Sequence, residues 1–430
     1  MYISVKTKFL LCLIVATAWL IVCFYLSIPW LKDLAVYITI IPAGVIVFSI
    51  ALIPGFMYMF LVVSYIIDAR RIKPITTNYP DVTILIAAYN EEQSILFTLN
   101  SLKNQTYPGK IDIILIDDGS KDKTVERARS LGLTNLTIIN ANHGGKAAAL
   151  NIGLEKTKTD YVITIDADTY LVPTAVKELV IKLLSGPKGT IACAGSVYVK
   201  NSRQTLMTKI QEWDYFHAIA AIKRSQSLFQ GTLVAQGAFS IYEKKALQEV
   251  NGWPEVVGED IVVTWALLNK GYRIDFAERA IAFTNVPATY TQFFFQRSRW
   301  ASGLFEAFWH YPGILLRPQL STFYVYWNLC FIVFDTIFFF VFMPGLIAAL
   351  FGYYFIAGPM TLAVIPLGLI NNMIFYFGQR EQFKICSLKV RKNVVGLILY
   401  ILFYQFIMNP AVIHGYLSGL FRTKKTWGTK

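Results

Sequence analysis

Long apolar runs without a single charged side chain constrain this chain more than any other feature. The first run is Phe9–Ile28, and about 20 residues at about 1.5 Å each cross a hydrocarbon core of about 30 Å. A cleaved signal peptide is the alternative, but the run is longer than the apolar core of such peptides and lacks a small-x-small cleavage site. A second run, Ala35–Ile67, is long enough to span with tilt or kinks. With 55% of the 430 residues hydrophobic and 16% charged, several membrane helices are expected.

Basic residues set the expected orientation of these spans. Lys6 and Lys8 precede the first run, and Arg70 and Arg71 follow the second. By the positive-inside rule both flanks stay cytoplasmic, so the region from about residue 73 to 323 is expected in the cytosol, where nucleotide sugars are available.

Apolar runs resume after this polar region. They are Tyr324–Phe355, Pro359–Phe377 and Val394–Leu420. Five spans would place the basic tail 422–430 outside, so either Pro410 marks a re-entrant or interfacial segment or the tail is an exception to the charge rule. Asp335 lies inside an apolar run and is expected either to pair with another helix or to line a polar path.

The net charge of +13 is concentrated beside the apolar runs. This placement favours anionic lipid headgroups and diphosphates as partners over nucleic acid, which is not expected to bind. The five cysteines show neither disulfide-framework nor zinc-site spacing.

Short β-branched runs that end in polar turns predict a parallel α/β sheet in the polar region. Val82–Ala87 leads into Tyr89 and Glu91, and 112–116 leads into Asp117 and Asp118. Open α/β sheets bind ligands at the carboxyl ends of their strands, so these polar residues are placed for a nucleoside. The same acids are also suited to cap the helices that follow, and both roles can hold together.

A glycine loop and two further acidic clusters follow along the chain. Lys146 closes the loop 142–146 and is placed to approach a diphosphate as a point charge, although the spacing is not that of a P-loop. Asp166 and Asp168 end the apolar strand 161–165, and such hard oxygen ligands suit Mg²⁺ or Mn²⁺. Glu259 and Asp260 begin the helical pattern 261–268, where acids also act as caps.

The run 296–300 combines an amide, guanidinium groups and an indole at the membrane-facing end of the polar region. Arg299 can grip phosphate oxygens and Trp300 can stack on a sugar ring, whereas an interfacial amphipathic helix would use the same residues as anchors. Segments 213–215 and 235–238 are weaker candidates for acceptor contacts, because aromatic and small residues there are more often core.

In this order, the strands, acidic clusters and 296–300 run between apolar segments resemble the processive family 2 glycosyltransferases, which have a GT-A catalytic domain. The resemblance implies a Rossmann-like α/β domain with a mixed, mostly parallel sheet, inserted between transmembrane helices. It implies two N-terminal transmembrane helices in 1–72, a cytosolic GT-A domain in 73–290 and amphipathic interface helices in 291–322. About three transmembrane helices and a short basic tail would fill 323–430.

The resemblance also implies a role for each candidate residue. Contacts to UDP are expected from Ala87, Tyr89, Glu91, Asp117, Asp118, Lys146 and Asp166. Asp166 and Asp168 would hold Mg²⁺ or Mn²⁺, Asp260 would be the catalytic base, and Glu259 would orient the site or tune its pKa. The diphosphate and the acceptor would be contacted by Gln296, Arg299, Trp300, Gln236 and Gly237.

The stretch from Leu206 to Gln226 looks most like bacterial poly-N-acetylglucosamine synthases. That likeness implies a UDP-N-acetylglucosamine donor, a β-linked biofilm exopolysaccharide extruded through the enzyme's own channel, a bacterial plasma-membrane location and a small membrane partner subunit. Gly258 departs from the Thr-Glu-Asp that those enzymes commonly carry and is closer to hyaluronan or chitin-oligosaccharide synthases. Donor and linkage therefore stay open at this point, as does a non-processive transferase that adds a single sugar to a lipid.

Overall fold

The computed structural model describes residues 3–68, 79–358, 361–362 and 364–421. Arg70, Arg71 and the basic tail 422–430, on which the expected topology partly rests, lie outside the described residues. So does Pro359, the expected start of one apolar run.

Two apolar helical segments precede the sheet. α1 is Val5–Ile38, contains Pro29 and ends where Thr39 adopts a positive φ of 70°. The second segment consists of α2 (Ile40–Val47), a π-helical turn at 48–52 and α3 (Ile53–Ile66). The break between them therefore lies at residue 39, because the polar residues 32–33 continue the first helix instead of ending it.

Eight strands of the described chain form one sheet. They are β1 Val82–Ala88, β2 Ile111–Asp117, β3 Leu136–Asn140, β4 Tyr161–Asp166, β5 Tyr170–Leu171, β6 Thr190–Val199, β7 Phe239–Glu243 and β8 Arg273–Thr284. Their order is β3-β2-β1-β4-β7-β6-β8-β5, with β3, β2, β1 and β4 mutually parallel. β7 runs antiparallel to both neighbours, whereas β6 and β8 are parallel. The predicted mixed, Rossmann-like sheet is confirmed.

Helices cover both faces of this sheet. They are α4 Ile95–Lys103, α5 Thr124–Ser130, α6 Lys146–Lys156, α7 Ala175–Leu184, α8 Leu206–Asp214, α9 Lys223–Leu228, α10 Lys244–Glu249 and α11 Glu259–Asn269, with a π-helical segment at 215–222 between α8 and α9. Every residue of β1 is buried: Ile84 and Ile86 join the core formed with α4 and α7, and Leu85 joins the core formed with α6 and α11. Burial on both faces explains why this strand is apolar at every position except Thr83.

The last part of the described chain is helical. It contains α12 Tyr290–His310, a 3-10 turn Pro312–Leu316, α13 Thr322–Ile337, a π-helical turn Phe338–Phe342, α14 Met343–Leu350, α15 Val364–Ile385 and α16 Val394–Leu420. Among the described residues, four helices are long and apolar enough to cross a membrane: 5–38, 40–66, 322–350 and 394–420. α15 is not one of them, since it ends in a polar third around Arg380 and Glu381. The number of spans in 323–430 stays a prediction.

Asp335 ties two of the apolar helices together. Its carboxylate accepts a hydrogen bond from the Tyr416 hydroxyl at 2.8 Å and weaker ones from the Gln405 and Asn409 amides at 3.3 and 3.4 Å. All three donors lie on α16, so the buried acid pairs α13 with α16 rather than standing alone in an apolar environment.

Close backbone contacts hold α12 on two sides. A Cβ on Gly258, at the start of α11, would lie 2.6 Å from the Gly303 Cα, and a Cβ on Gly415 of α16 would lie 2.3 Å from the Ser298 carbonyl oxygen. Side chains at 258 or 415 would push the helices apart. α12 is therefore fixed both to the helix that carries Asp260 and to a candidate membrane span.

Candidate active site

Three neighbouring strands end side by side at one edge of the sheet. Ala87 of β1 pairs in register with Asp166 of β4, and Ala88 pairs with Asp117 of β2. Tyr89 follows directly in the turn after β1. The expected donor-side residues thus lie at the carboxyl edge where open α/β sheets bind ligands, and their individual contacts with UDP stay predictions.

The side chain of Asp118 points inward and organises the glycine loop. It is 1% exposed, and its carboxylate accepts hydrogen bonds from the N–H groups of Gly144 at 2.8 Å and Gly145 at 3.0 Å. Gly145 has a φ of 90°, which favours glycine, and Lys146 begins α6 directly after it. By binding the glycine loop, Asp118 fixes the position of Lys146 at the start of α6. This structural role does not depend on a contact between Asp118 and a nucleotide.

His143, for which the sequence predicts no role, adds an aromatic surface beside Tyr89. Its ring stacks on Tyr89 with centroids 4.5 Å apart and planes 28° from parallel, and its Nδ1 lies 2.8 Å from an Asp118 carboxylate oxygen. Close by, the hydroxyl of Ser94 donates to Glu91, and the N–H of Ser120 donates to Asp117 at 3.3 Å. The signal for His143 was its place inside the glycine loop.

Lys146 joins the donor acids to the start of α11. Its ammonium lies 2.6 Å from Asp166 Oδ1 and 3.2 Å from Glu259 Oε1. Burial alone would lower the pKa of Lys146, but the two carboxylates outweigh it and raise the pKa, so the lysine is cationic. Burial raises the pKa of Glu259, and Lys146 opposes that shift. The site thus contains the Lys146 ammonium between two carboxylates, one from the end of β4 and one from the start of α11.

The predicted metal ligands Asp166 and Asp168 flank Ala167 at the carboxyl end of β4. Asp168 Oδ1 accepts a hydrogen bond from the Thr284 hydroxyl at 3.1 Å. Over the described ranges, no group of three or more His, Cys, Asp or Glu side chains is placed to hold an ion. Two carboxylates leave an octahedral cation in need of further oxygens, and Mg²⁺ commonly takes them from phosphates and water. The donor set fits a divalent cation that binds together with a diphosphate.

Gly237 separates Lys146 from Asp260. Its N–H donates to Asp260 Oδ2 at 3.2 Å, and a Cβ at this position would lie 2.5 Å from the Lys146 ammonium. Asp260 Oδ1 accepts from the N–H of Ile261 at 2.8 Å. Gly237 therefore allows the predicted base and the donor-side lysine to approach the same short loop.

The run 296–300 lies on α12 with its members turned in different directions. Arg297 is buried and donates to Asp214 at 2.8 Å, and its guanidinium carbon lies 4.1 Å from the centre of the Trp300 ring. Trp300 is 44% exposed, whereas the Gln296 amide oxygen is buried without a hydrogen-bond partner among the described residues. The Arg297 guanidinium packs against the exposed indole and orients it, whereas the Gln296 amide oxygen faces into the protein.

Comparisons with known proteins identify the family and the fold of this chain. A model of glycosyl transferase family 2 matches residues 83–250. A poly-β-1,6-N-acetyl-D-glucosamine synthase of Staphylococcus epidermidis is 30% identical over 372 residues, covering 81% of this chain and 86% of that protein. The chain belongs to glycosyl transferase family 2. A Staphylococcus aureus protein of the same name is 33% identical over 282 residues, which cover 63% of this chain and 66% of that protein.

The fold of this family 2 glycosyltransferase also has a solved counterpart. A mannosyltransferase of Pyrobaculum calidifontis, in complex with GDP-Man and Mn²⁺, aligns with a TM-score of 0.58 over 86% of this chain and 95% of its own. The sequence identity is 18%, so the likeness concerns the fold. It confirms the expected GT-A architecture.

Besides His143, the sequence pattern does not single out Arg297 or Lys223 of this family 2 glycosyltransferase. Arg297 stood inside the 296–300 run but showed no sign of its buried ion pair, and Lys223 stood in a polar stretch after 215–222. The signal for Lys223 is a cation directly after an apolar segment, which is indistinguishable from an ordinary surface lysine until its contacts are known. Gly258, the departure noted above, has a packing reason in its contact with Gly303.

Proposed function

We propose that this chain is a processive, inverting glycosyltransferase that polymerises N-acetylglucosamine from UDP-N-acetylglucosamine. In the proposal it lies in a bacterial plasma membrane with its catalytic domain in the cytoplasm, and it passes the β-linked product through its own membrane helices. The names of the Staphylococcus relatives support the sugar and its polymerisation.

The observation that carries the proposal is the bridge made by Lys146. This lysine contacts Asp166 on the donor side and Glu259 next to the predicted base, so the two ends of a transfer reaction meet within one cluster. A diphosphate placed at the strand ends would face the Lys146 ammonium, while an acceptor hydroxyl would approach Asp260 from the side of α12.

The donor side would work mainly by charge. A divalent cation held by Asp166 and Asp168 would offset the charge that develops on the leaving UDP. Lys146 would add a fixed positive charge, and Arg299 would grip phosphate oxygens from α12. Tyr89 and His143 would offer ring faces to the nucleobase.

The acceptor side would work by proton transfer. As the acceptor oxygen attacks the anomeric carbon, its proton passes to Asp260, and the bond between the anomeric carbon and the UDP oxygen breaks. A single displacement of this kind inverts an α-linked donor to a β-linked product. Trp300, held by Arg297, would stack on the acceptor sugar, and the Gln296 amide oxygen, which is buried here, would accept a hydrogen bond from a sugar hydroxyl only after its side chain turned outward.

Export is the part of the proposal that rests on placement. α12 packs on α16, one of the four helices suited to cross a membrane, so the acceptor side of the site adjoins the apolar helices. A product chain that leaves past Trp300 would meet those helices first. The proposal includes a small membrane partner subunit. Its sign would be glycosyltransferase activity that appears only when this chain and the subunit are expressed together.

The test is a donor screen with the purified full chain in lipid nanodiscs. UDP release is followed with UDP-N-acetylglucosamine, UDP-glucose and UDP-glucuronate, singly and in pairs, and the products are sized and digested with linkage-specific hydrolases. The proposal expects sustained UDP release with UDP-N-acetylglucosamine alone and a long product cut by a β-1,6-specific enzyme. A need for two donors would indicate a hyaluronan-type synthase, a β-1,4-linked product a chitin- or cellulose-type synthase, and a single added sugar a non-processive transferase.

A further inference from the structure

Side chains on several sides hold the loop 234–237 by hydrogen bonds, and the loop in turn contacts Asp260. The N–H of Ala235 donates to the Thr264 hydroxyl at 2.9 Å, and the same hydroxyl donates to the Asp260 carbonyl oxygen at 2.6 Å. At the end of the loop, the Gly237 N–H donates to the Asp260 carboxylate at 3.2 Å. The loop thus contacts both the backbone and the side chain of the predicted base.

Lys223 holds the other side of this loop. Its ammonium donates to the Val234 carbonyl oxygen at 3.0 Å and to the amide oxygen of Gln236. The Gln236 amide nitrogen donates in turn to the Gly195 carbonyl oxygen at 2.6 Å on β6. Both ends of the Gln236 carboxamide are therefore fixed, and one of them depends on Lys223.

The setting of Lys223 differs from that of an ordinary surface lysine. It begins α9 directly after the π-helical segment 215–222, which places its side chain against the loop. Burial lowers the pKa of Lys223 to about 7, and the negative charge of Asp260 opposes this shift. An amine that is poorly hydrated depends on its protein partners, so its bonds to Val234 and Gln236 are specific contacts.

We propose that Lys223 is a positioning residue for glycosyl transfer, holding the loop 234–237 so that the Gly237 N–H keeps the Asp260 carboxylate directed at the acceptor hydroxyl. This inference rests on the proposed function, in which Asp260 is the base. Lys223 acts through the loop, so its loss misdirects the base while leaving the donor side, built from β1, β2 and β4, in place.

The test compares Lys223→Met and Lys223→Arg with a matched control, Lys245→Met, in the full chain. Lys245 is an exposed lysine on α10, outside the site. The measurements are kcat and KM for UDP release with an added acceptor oligosaccharide, the Kd for UDP, and the thermal midpoint of each purified variant. Lys223→Met is expected to lower kcat at least about tenfold, as loss of a charged hydrogen bond does, and to leave the Kd for UDP within about twofold. Lys223→Arg restores most of kcat because its guanidinium can donate to both oxygens.

A second variant tests the loop from its opposite side. Thr264→Val removes the hydroxyl that links Ala235 to Asp260 and keeps the shape of the side chain. If the loop positions the base, Thr264→Val also lowers kcat without weakening UDP binding. The double variant of Lys223→Met and Thr264→Val then shows a smaller fold-loss of kcat than the product of the two single fold-losses. If Lys223→Met does not fold, Thr264→Val and Lys223→Arg decide the matter.

The outcomes separate this inference from the proposed function. A wild-type chain that releases UDP from no UDP-sugar overturns the proposed function and this inference with it. An active wild type matched in kcat by Lys223→Met, or by Thr264→Val, overturns this inference alone. If Lys223→Met weakens UDP binding and lowers the thermal midpoint as well as kcat, the lysine only supports the fold, and this inference is also overturned.

Discussion

The donor side and the acceptor side of this site are built in different ways. Donor residues lie at or directly after the carboxyl ends of β1, β2 and β4, and backbone N–H groups hold several of them, as Gly144 and Gly145 hold Asp118. Acceptor-side residues are held by side chains far apart in sequence, such as Arg297 with Asp214. The sheet therefore preorganises the donor end, whereas the acceptor end depends on individual long-range pairs beside the apolar helices.

The largest expected effect is on the acceptor side. Asp260→Asn removes the proton acceptor and keeps the hydrogen bond from Gly237, so kcat is expected to fall about 10³-fold, within the range of general base catalysis. Binding of UDP, measured by calorimetry, should stay near the wild-type value because the donor side is untouched. Wild-type turnover in Asp260→Asn would show that Asp260 is not the catalytic base, and the distinction between a donor side and an acceptor side would fail with it.

Breaking the buried ion pair comes next and tests how the acceptor side is held. Arg297→Met leaves Asp214 buried without its cation, and such losses cost about 3–5 kcal/mol of stability. The thermal midpoint in detergent should fall by several degrees, and the product should shorten because Trp300 loses its support. Adding Asp214→Asn to Arg297→Met should recover part of the midpoint, and no recovery would contradict the pairing.

Chelation addresses the donor side. Removing divalent cations with EDTA is expected to lower UDP release about 10²-fold, since the cation would offset several kcal/mol of developing charge. Mn²⁺ or Mg²⁺ should restore the rate in the wild type and not in Asp168→Asn. Full activity in EDTA would exclude the assignment of Asp166 and Asp168 as metal ligands.

The smallest effect concerns pH. Because the pKa of folded Lys223 is about 7 and that of an unfolded lysine is higher, the unfolded chain binds more protons above pH 7, and stability rises with pH from about 7 to 10. The wild type should therefore gain about 2 °C in thermal midpoint over Lys223→Met between pH 7 and 9. Parallel midpoints for the two proteins across this window would show that Lys223 is not buried as described.

The inner strands were readable because a parallel sheet buries them on both faces. β1, β2 and β4 appear as mainly apolar runs, and each ends in or leads directly into the polar residues at its carboxyl edge, whereas β3, at the edge of the sheet, is only partly buried. The two apolar runs are separated at residues 29–34, whereas the first helix ends at Thr39, three residues before Pro42 in the first turn of α2. The sequence does not distinguish Lys223 from a surface lysine, since its contacts are with a loop more than ten residues further along the chain.

The sequence by itself determined the family, the apolar helices and the strand-end acids, because each depends on residues that lie next to one another in the chain. Only the tertiary structure decided that Lys146 joins Asp166 to Glu259, that Arg297 is buried against Asp214, and that Gly258 packs on Gly303. These contacts link segments far apart in sequence, and their strength comes from burial and orientation, which composition and spacing do not encode.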